Sequence, residues 1–268
     1  MGRLAIDSAE VSDDSVELVQ HRLTAGHHQR GDHLRSRRWP PDSRLRVPPD
    51  RRGQRGQHRR RASHAGWDEF YREFTDRLAR HGYTVICPDL YCRFGHGSPD
   101  DVAATVRAAG GVADDQVVAD LAAAREWLLA QPTSNGKTGI LGTCSGGRHA
   151  LLTASRTSGW NAVIDLWGGG VAASEEELTP QRPVAVIDYT EGLSAPLLGL
   201  FGNDDQYPTP ELVDQHEAEL KRLGKDYEFH RYDGASHGFF YYFAPAYRPE
   251  AAMDGWERIF AFFGTHLS

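Results

Sequence analysis

No stretch of this chain approaches the roughly 20 consecutive apolar residues that a membrane-crossing helix needs. A bilayer-embedded protein is therefore not expected. The first residues, Met1-Gly2-Arg3-Leu4-Ala5-Ile6, lack the apolar core and small-residue cleavage site of a secretory signal. They also lack the hydroxyl residue that a myristoylation site carries at position six. Cysteine is scarce. Cys87, Cys92 and Cys144 are an odd number at no metal-ligand spacing, so neither a disulfide framework nor a metal site is expected, and the cytoplasm is the expected compartment. His27, His28, Asp32 and His33 offer ligand atoms, but their arginine-rich surroundings supply no framework to hold a metal.

Lysine and glutamate are both missing between His21 and Ser63. That stretch holds 13 arginines and 3 aspartates, a net +10, so the rest of the chain carries −17 of the overall −7. Its apolar residues are sparse and aperiodic, and unpaired arginines cost too much to bury in a strand. Three readings remain open. The stretch is a solvated arm, a polyanion-binding tail in which only Trp39 could stack, or an out-of-frame translation of a GC-rich gene. The chain divides accordingly into an N-terminal segment, 1–20, the anomalous segment, 21–63, and one domain, 64–268.

What is present is an ordered alternation of helices and strands. With 40% hydrophobic and 25% charged residues the composition is that of a globular protein. Phe70, Tyr71, Phe74 and Leu78 form one apolar face of a helix over Trp67–His81, and Gly82 suits its C-cap. Thr84-Val85-Ile86-Cys87 reads as a buried parallel strand ended by Pro88. Val117, Leu121, Ala124 and Leu128 face one way in a helix over Ala113–Ala130. Strands follow at Thr138–Leu141, Ala162–Leu166, Pro196–Phe201 and Tyr227–Tyr232, with helices after Cys144, over Pro210–Leu223 and over Pro249–Phe263. This alternation specifies an α/β fold, a mostly parallel central sheet flanked by helices on both faces.

Gly142-Thr143-Cys144-Ser145-Gly146-Gly147 carries the strongest chemical signal. It has the Gly-x-nucleophile-x-Gly spacing of a nucleophile elbow, with strand before and helix after. Small neighbours let the backbone turn tightly. The helix N-terminus favours a thiolate at Cys144, and the Ser145 backbone N–H can donate to an oxyanion. The competing reading of the motif alone is a buried cysteine at a glycine-rich helix start. Two further strand ends decide between them. Asp204 and Asp205 follow the Pro196–Phe201 strand, and His237 follows the Tyr227–Tyr232 strand. Nucleophile, acid and histidine thus occur in the order this architecture requires. Asn135-Gly136-Lys137-Thr138 fails as a phosphate loop because residue 131 is Gln and a strand follows. Gly168-Gly169-Gly170 is a weak dinucleotide signal for its acidic, proline-broken sequel.

Together with Pro88-Asp89-Leu90-Tyr91, these motifs resemble the dienelactone hydrolase family, of α/β-hydrolase fold, over about residues 64–268. The resemblance implies cofactor-independent hydrolysis of a small ester or lactone through a thiol acyl-enzyme. Cys144 would attack, His237 relay the proton and Asp205 orient the imidazole. The family spacing favours Asp205 over Asp204. The second oxyanion donor would come from near His64 or Ala65. Arg93 matches an arginine that grips a substrate carboxylate. Two positions depart from the family pattern. Ser63 stands where a glutamate engages the resting thiol, and Tyr241 stands where a second carboxylate-binding arginine lies. The run Phe239-Phe240-Tyr241-Tyr242-Phe243 is a candidate aromatic pocket wall or simple core. A membrane or nucleic acid is not an expected partner. The rival readings are a catalytically impaired scaffold of the same fold and a polyanion binder acting through the arginine segment.

Overall fold

Three strands are buried along their length because helices cover both of their faces. In the computed structural model these are β3 (Gly139–Thr143), β4 (Ala162–Leu166) and β5 (Leu197–Gly202), every residue of which is buried. The structure describes residues 16–21 and 69–268. The arginine-rich segment beyond His21, with Ser63, His64 and Ala65, lies outside the described residues. β6 (Tyr227–Tyr232) pairs parallel to β5, so β3, β4, β5 and β6 form a parallel block. Period-two alternation divides their side chains. Ile140, Val163 and Leu197 point to one face. There they meet Val117, Leu121 and Leu128 of α3 (Asp114–Leu129), Leu151 of α4 (Ser145–Arg156) and Leu220 of α5 (Pro210–Arg222). Leu141, Ile164 and Leu198 point to the other, against α1 (Glu69–Arg80) and α6 (Pro249–Leu267). The helix faces of α1 and α3 are those that the apolar spacing indicates: Phe70, Tyr71, Phe74 and Leu78 are buried in the first, and Val117, Leu121, Ala124 and Leu128 in the second.

Two elements had no clear sequence signal. β1 (Val16–His21) lies between β3 and β2 (Tyr83–Ile86), antiparallel to both. Val16, Leu18 and Val19 are fully buried in it. Helix α2 (Pro99–Ala108) is started by Ser98, whose side chain accepts a hydrogen bond from the Asp101 N–H, with proline in the first turn. The expectation of a buried parallel strand at 84–87 is corrected. β2 is antiparallel and forms the sheet edge among the described residues, and Thr84, Val85 and Ile86 are only half-buried. The reason is β1: a strand running the opposite way separates β2 from the parallel block.

The sheet presents the C-terminal ends of β3, β5 and β6 along one rim, and α4 rises from the first of them. A buried ion pair anchors α4 to the start of α3. Arg148 grips Asp114 with both guanidinium arms, at 2.6 and 3.0 Å, and the two side chains are 3% and 5% exposed. Removing one partner leaves an uncompensated buried charge, so Asp114→Ala is expected to cost about 3–5 kcal/mol. Urea unfolding at neutral pH measures the loss. The double replacement Asp114→Leu with Arg148→Met should recover most of it, because it removes both charges together.

Candidate active site

The turn after β3 places Cys144 in a conformation that a non-glycine residue adopts only under constraint, with φ 53° and ψ −127°. Such a backbone costs about 1–3 kcal/mol and persists where the surroundings over-determine it. Here they do. The Cys144 N–H donates to the Leu166 carbonyl at 2.9 Å, and the Cys144 carbonyl accepts from Gly147 N–H at 3.0 Å as α4 begins. The motif glycines are required by close approach. A Cβ on Gly142 would stand 2.0 Å from the Gly146 carbonyl oxygen, and one on Gly147 would stand 2.2 Å from Oδ1 of Asp165. The Ser145 N–H occupies the first position of α4, where backbone donors and the helix dipole favour negative charge. Ala65, the other expected oxyanion donor, lies outside the described residues.

The acid and histidine loops are joined to each other before they meet the elbow. Asn203 N–H donates to the Tyr232 carbonyl at 3.0 Å and Asp204 N–H to the Ala235 carbonyl at 2.9 Å. A Cβ on Gly202 would lie 2.3 Å from the Ala235 carbonyl oxygen, so the loops can approach this closely only with glycine there. The result orients Asp205 inward and Asp204 to solvent. Oδ2 of Asp205 accepts from His237 Nδ1 at 2.9 Å, while Oδ1 accepts from the Tyr207 N–H at 2.9 Å. Both carboxylate oxygens are held. The carboxylate is 1% exposed and the imidazole 25% exposed.

His237 also hydrogen-bonds the Cys144 side chain. Burial pulls the imidazole down, but the charge on the Cys144 sulfur, the ring's hydrogen bonds to Asp205 and Cys144 and the Asp205 charge outweigh it. The ring is held well above its ordinary value, so the protonated form is favoured. Sulfur, imidazole and carboxylate, from the ends of β3, β6 and β5, therefore form one connected line. Trp167, fully buried after β4, stands edge-on to the imidazole with ring centroids 6.4 Å apart.

The remaining sequence candidates fall in different surroundings. Arg93 is half-exposed, and its guanidinium is engaged by both oxygens of Asp120 at 2.7 and 2.9 Å. Tyr241 is 3% exposed, packs edge-on to Phe70 at 4.6 Å and shares a 2.6 Å hydrogen bond with the Tyr71 hydroxyl. Of the aromatic run, Phe239, Phe240 and Tyr241 are buried, while Tyr242 and Phe243 are exposed. The three glycines after Trp167 serve packing around the acid loop. Gly168 lies against the Asp165 carboxylate and Gly169 against the Tyr207 ring, where Cβ atoms would come to 2.3 and 2.6 Å. Asp165, on β4 beside Gly142, had no distinguishing sequence signal. It is fully buried, and burial, only partly offset by the Gly168 N–H, pushes its carboxyl up to about 7. Tyr71 was visible only as a core position. Among the described residues no group of His, Cys, Asp and Glu could hold a metal ion, and no helix is long and apolar enough to cross a membrane.

The electrostatics of the line are open to direct measurement. Cys144→Ala removes the sulfur charge and its hydrogen bond while burial continues to oppose protonation. The His237 ring titration, followed by NMR, should therefore shift to lower pH in Cys144→Ala. An unchanged titration would mean that sulfur and imidazole do not interact.

Comparison with known proteins places this geometry among relatives. A profile described as the dienelactone hydrolase family matches residues 63–267. A Methylorubrum extorquens protein named "Putative carboxymethylenebutenolidase" is 34% identical over 201 residues, covering 72% of this chain and 66% of its own length. An Escherichia coli protein of the same name is 32% identical over 202 residues, covering 74% of this chain and 72% of its own. The crystal structure of a Klebsiella pneumoniae protein, "Putative Dienelactone Hydrolase", superposes with TM-score 0.65 at 29% identity, over 74% of this chain and 82% of that one. A dienelactone hydrolase-like promiscuous phosphotriesterase from metagenomic libraries shares the fold, with TM-score 0.58 at 20% identity, over 75% of this chain and 82% of that one. With its α/β-hydrolase fold and a match spanning most of its length, the chain belongs to the dienelactone hydrolase family.

Proposed function

We propose that the chain hydrolyses small carboxylic esters or lactones through a thiol acyl-enzyme on Cys144. The observation that carries this reading is the connected line from the strained Cys144 through His237 to the fully held carboxylate of Asp205. Sulfur attacks the substrate carbonyl and a C–S bond forms. The carbonyl oxygen becomes an oxyanion facing the Ser145 N–H, the donor at the start of α4. The C–O bond to the leaving group then breaks, and the departing oxygen takes the proton held by His237. Water attacks the thioester, His237 accepts its proton, and the sulfur is released as the acid departs. Asp205 stays ionised throughout and holds the ring by Nδ1–H.

A raised imidazole suits the first half of this cycle, since a protonated ring can both stabilise the sulfur anion and donate to the leaving oxygen. Arg93 is the candidate for a substrate carboxylate. Asp120 already satisfies its fork, so binding there requires exchange of one carboxylate for another.

Turnover of a p-nitrophenyl ester should fall about a thousandfold or more in Cys144→Ala and in His237→Ala. Intact-mass measurement after brief exposure to a reactive ester should show one acyl group, retained on a Cys144 peptide. A folded wild-type protein that neither turns over nor acylates would instead be a scaffold. Asp120→Asn should strengthen the preference for carboxylate-bearing over neutral esters, and Arg93→Ala should abolish it. Equal kcat/KM ratios in all three proteins would exclude Arg93 from substrate selection.

A further inference from the structure

The line of sulfur, imidazole and carboxylate does not explain a second buried polar chain behind it. Thr143, the last residue of β3 and the immediate neighbour of Cys144, is fully buried. Its Oγ1 shares a 2.9 Å hydrogen bond with the Tyr71 hydroxyl of α1, and that hydroxyl shares a 2.6 Å bond with Tyr241. Tyr71 is 2% exposed and Tyr241 3% exposed. Three hydroxyls from three separate elements therefore meet in a largely aromatic environment. A hydroxyl there needs a partner, since an unsatisfied one would carry the desolvation penalty of burial.

The ends of this chain are informative. One end is bonded, through a single peptide, to the nucleophile. The other belongs to the histidine loop. The Tyr241 N–H donates to the Gly238 carbonyl at 2.8 Å, closing a turn on the residue after His237. The Tyr241 ring lies so close to Gly238 that a Cβ there would come to 2.4 Å, and Gly238 takes φ 72° to allow it. Trp167 completes the enclosure, with its ring 6.0 Å from Tyr241 and 6.4 Å from His237. Phe70, adjacent to Tyr71 on α1, packs edge-on to Tyr241 at 4.6 Å. Ordinary apolar packing would hold α1 against the sheet without any hydroxyl, as Phe74 and Leu78 do. The hydroxyls add direction: a hydrogen bond fixes distance and angle, where methyl contacts tolerate sliding.

We propose that Tyr71 is a positioning residue of the active site, its hydroxyl linking Thr143 and Tyr241 so that the elbow and the histidine loop keep the sulfur and the imidazole in hydrogen-bonding register. This rests on the reading that Cys144 and His237 perform the reaction. It gives Tyr241 a supporting role behind the site rather than a place in the substrate wall. Loss of any one hydroxyl breaks the chain, so the effects of two losses do not add.

The test compares Tyr71→Phe, Tyr241→Phe, Thr143→Val and Thr143→Ser in the full chain. Ester turnover is followed together with two readouts that need no turnover, the rate of Cys144 alkylation by iodoacetamide and the His237 ring titration by NMR. Tyr71→Phe should lower kcat by up to about a hundredfold, the scale of a small misplacement of reacting groups, with KM within about twofold of wild type. Alkylation should slow and the His237 titration should move to lower pH, because the sulfur–ring bond loosens. Tyr241→Phe and Thr143→Val should act in the same direction, Thr143→Ser should resemble wild type, and Tyr71→Phe with Tyr241→Phe should be no worse than Tyr71→Phe alone. If Tyr71→Phe does not fold, Tyr241→Phe and the Thr143 pair make the same distinction. Hydroxyl-deleted variants that melt at lower temperature yet keep wild-type kcat, alkylation rate and His237 titration overturn the positioning role and leave the Cys144 reading intact. Wild-type turnover in Cys144→Ala overturns both.

Discussion

Everything at this site depends on how closely helix α4 can start beside the strand that feeds it. The Cys144 backbone is strained, and the strain is sustained by contacts that only glycine permits: Gly142 under the Gly146 carbonyl, and Gly147 against the Asp165 carboxylate. A Cβ at either position would push α4 away and relax the turn. The sulfur would then leave the rim where the ends of β5 and β6 deliver the carboxylate and the imidazole. The same tight turn starts α4 at Ser145, directly after Cys144, so the first backbone donors of the helix follow the sulfur-bearing residue without an intervening loop.

Electrostatics follow from that placement. A 25% exposed imidazole would ordinarily be lowered by its partial burial. Here a sulfur on one side and a doubly hydrogen-bonded carboxylate on the other reverse the sign. Asp205 can do this because its second oxygen is occupied by the Tyr207 N–H, which fixes the plane of the carboxylate and leaves Oδ2 directed at the ring. The three glycines after Trp167 allow the same loop to pack close. A glycine run that suggests a cofactor loop in isolation is, in place, clearance for a tyrosine ring and a buried carboxyl.

The sequence candidates outside this line are already engaged within the protein. Arg93 is present but engaged by Asp120, and position 241 offers a buried hydroxyl bonded to Tyr71. The exposed part of the aromatic run is confined to Tyr242 and Phe243, where Tyr242 reaches Glu73 on α1.

Sequence alone determined the alternation of elements, the faces of α1 and α3, and the order of cysteine, aspartate and histidine at three strand ends. These are local or periodic properties: side-chain spacing reports which face is buried, and the glycine spacing around Cys144 reports a tight turn. Only the tertiary structure decided what depends on pairing and direction. β1 was illegible because the sequence that follows it carries no apolar pattern, and β2 looked like a parallel core strand because its four residues hold no record of their neighbour's direction. The family spacing already favoured Asp205 over Asp204, but the physical reason lies in sutures between two loops, distant in sequence, that turn one aspartate inward and its neighbour out. The Thr143–Tyr71–Tyr241 chain was beyond periodicity for a similar reason. A tyrosine at a core position shows that its ring is buried, but only the assembled core shows where its hydroxyl goes.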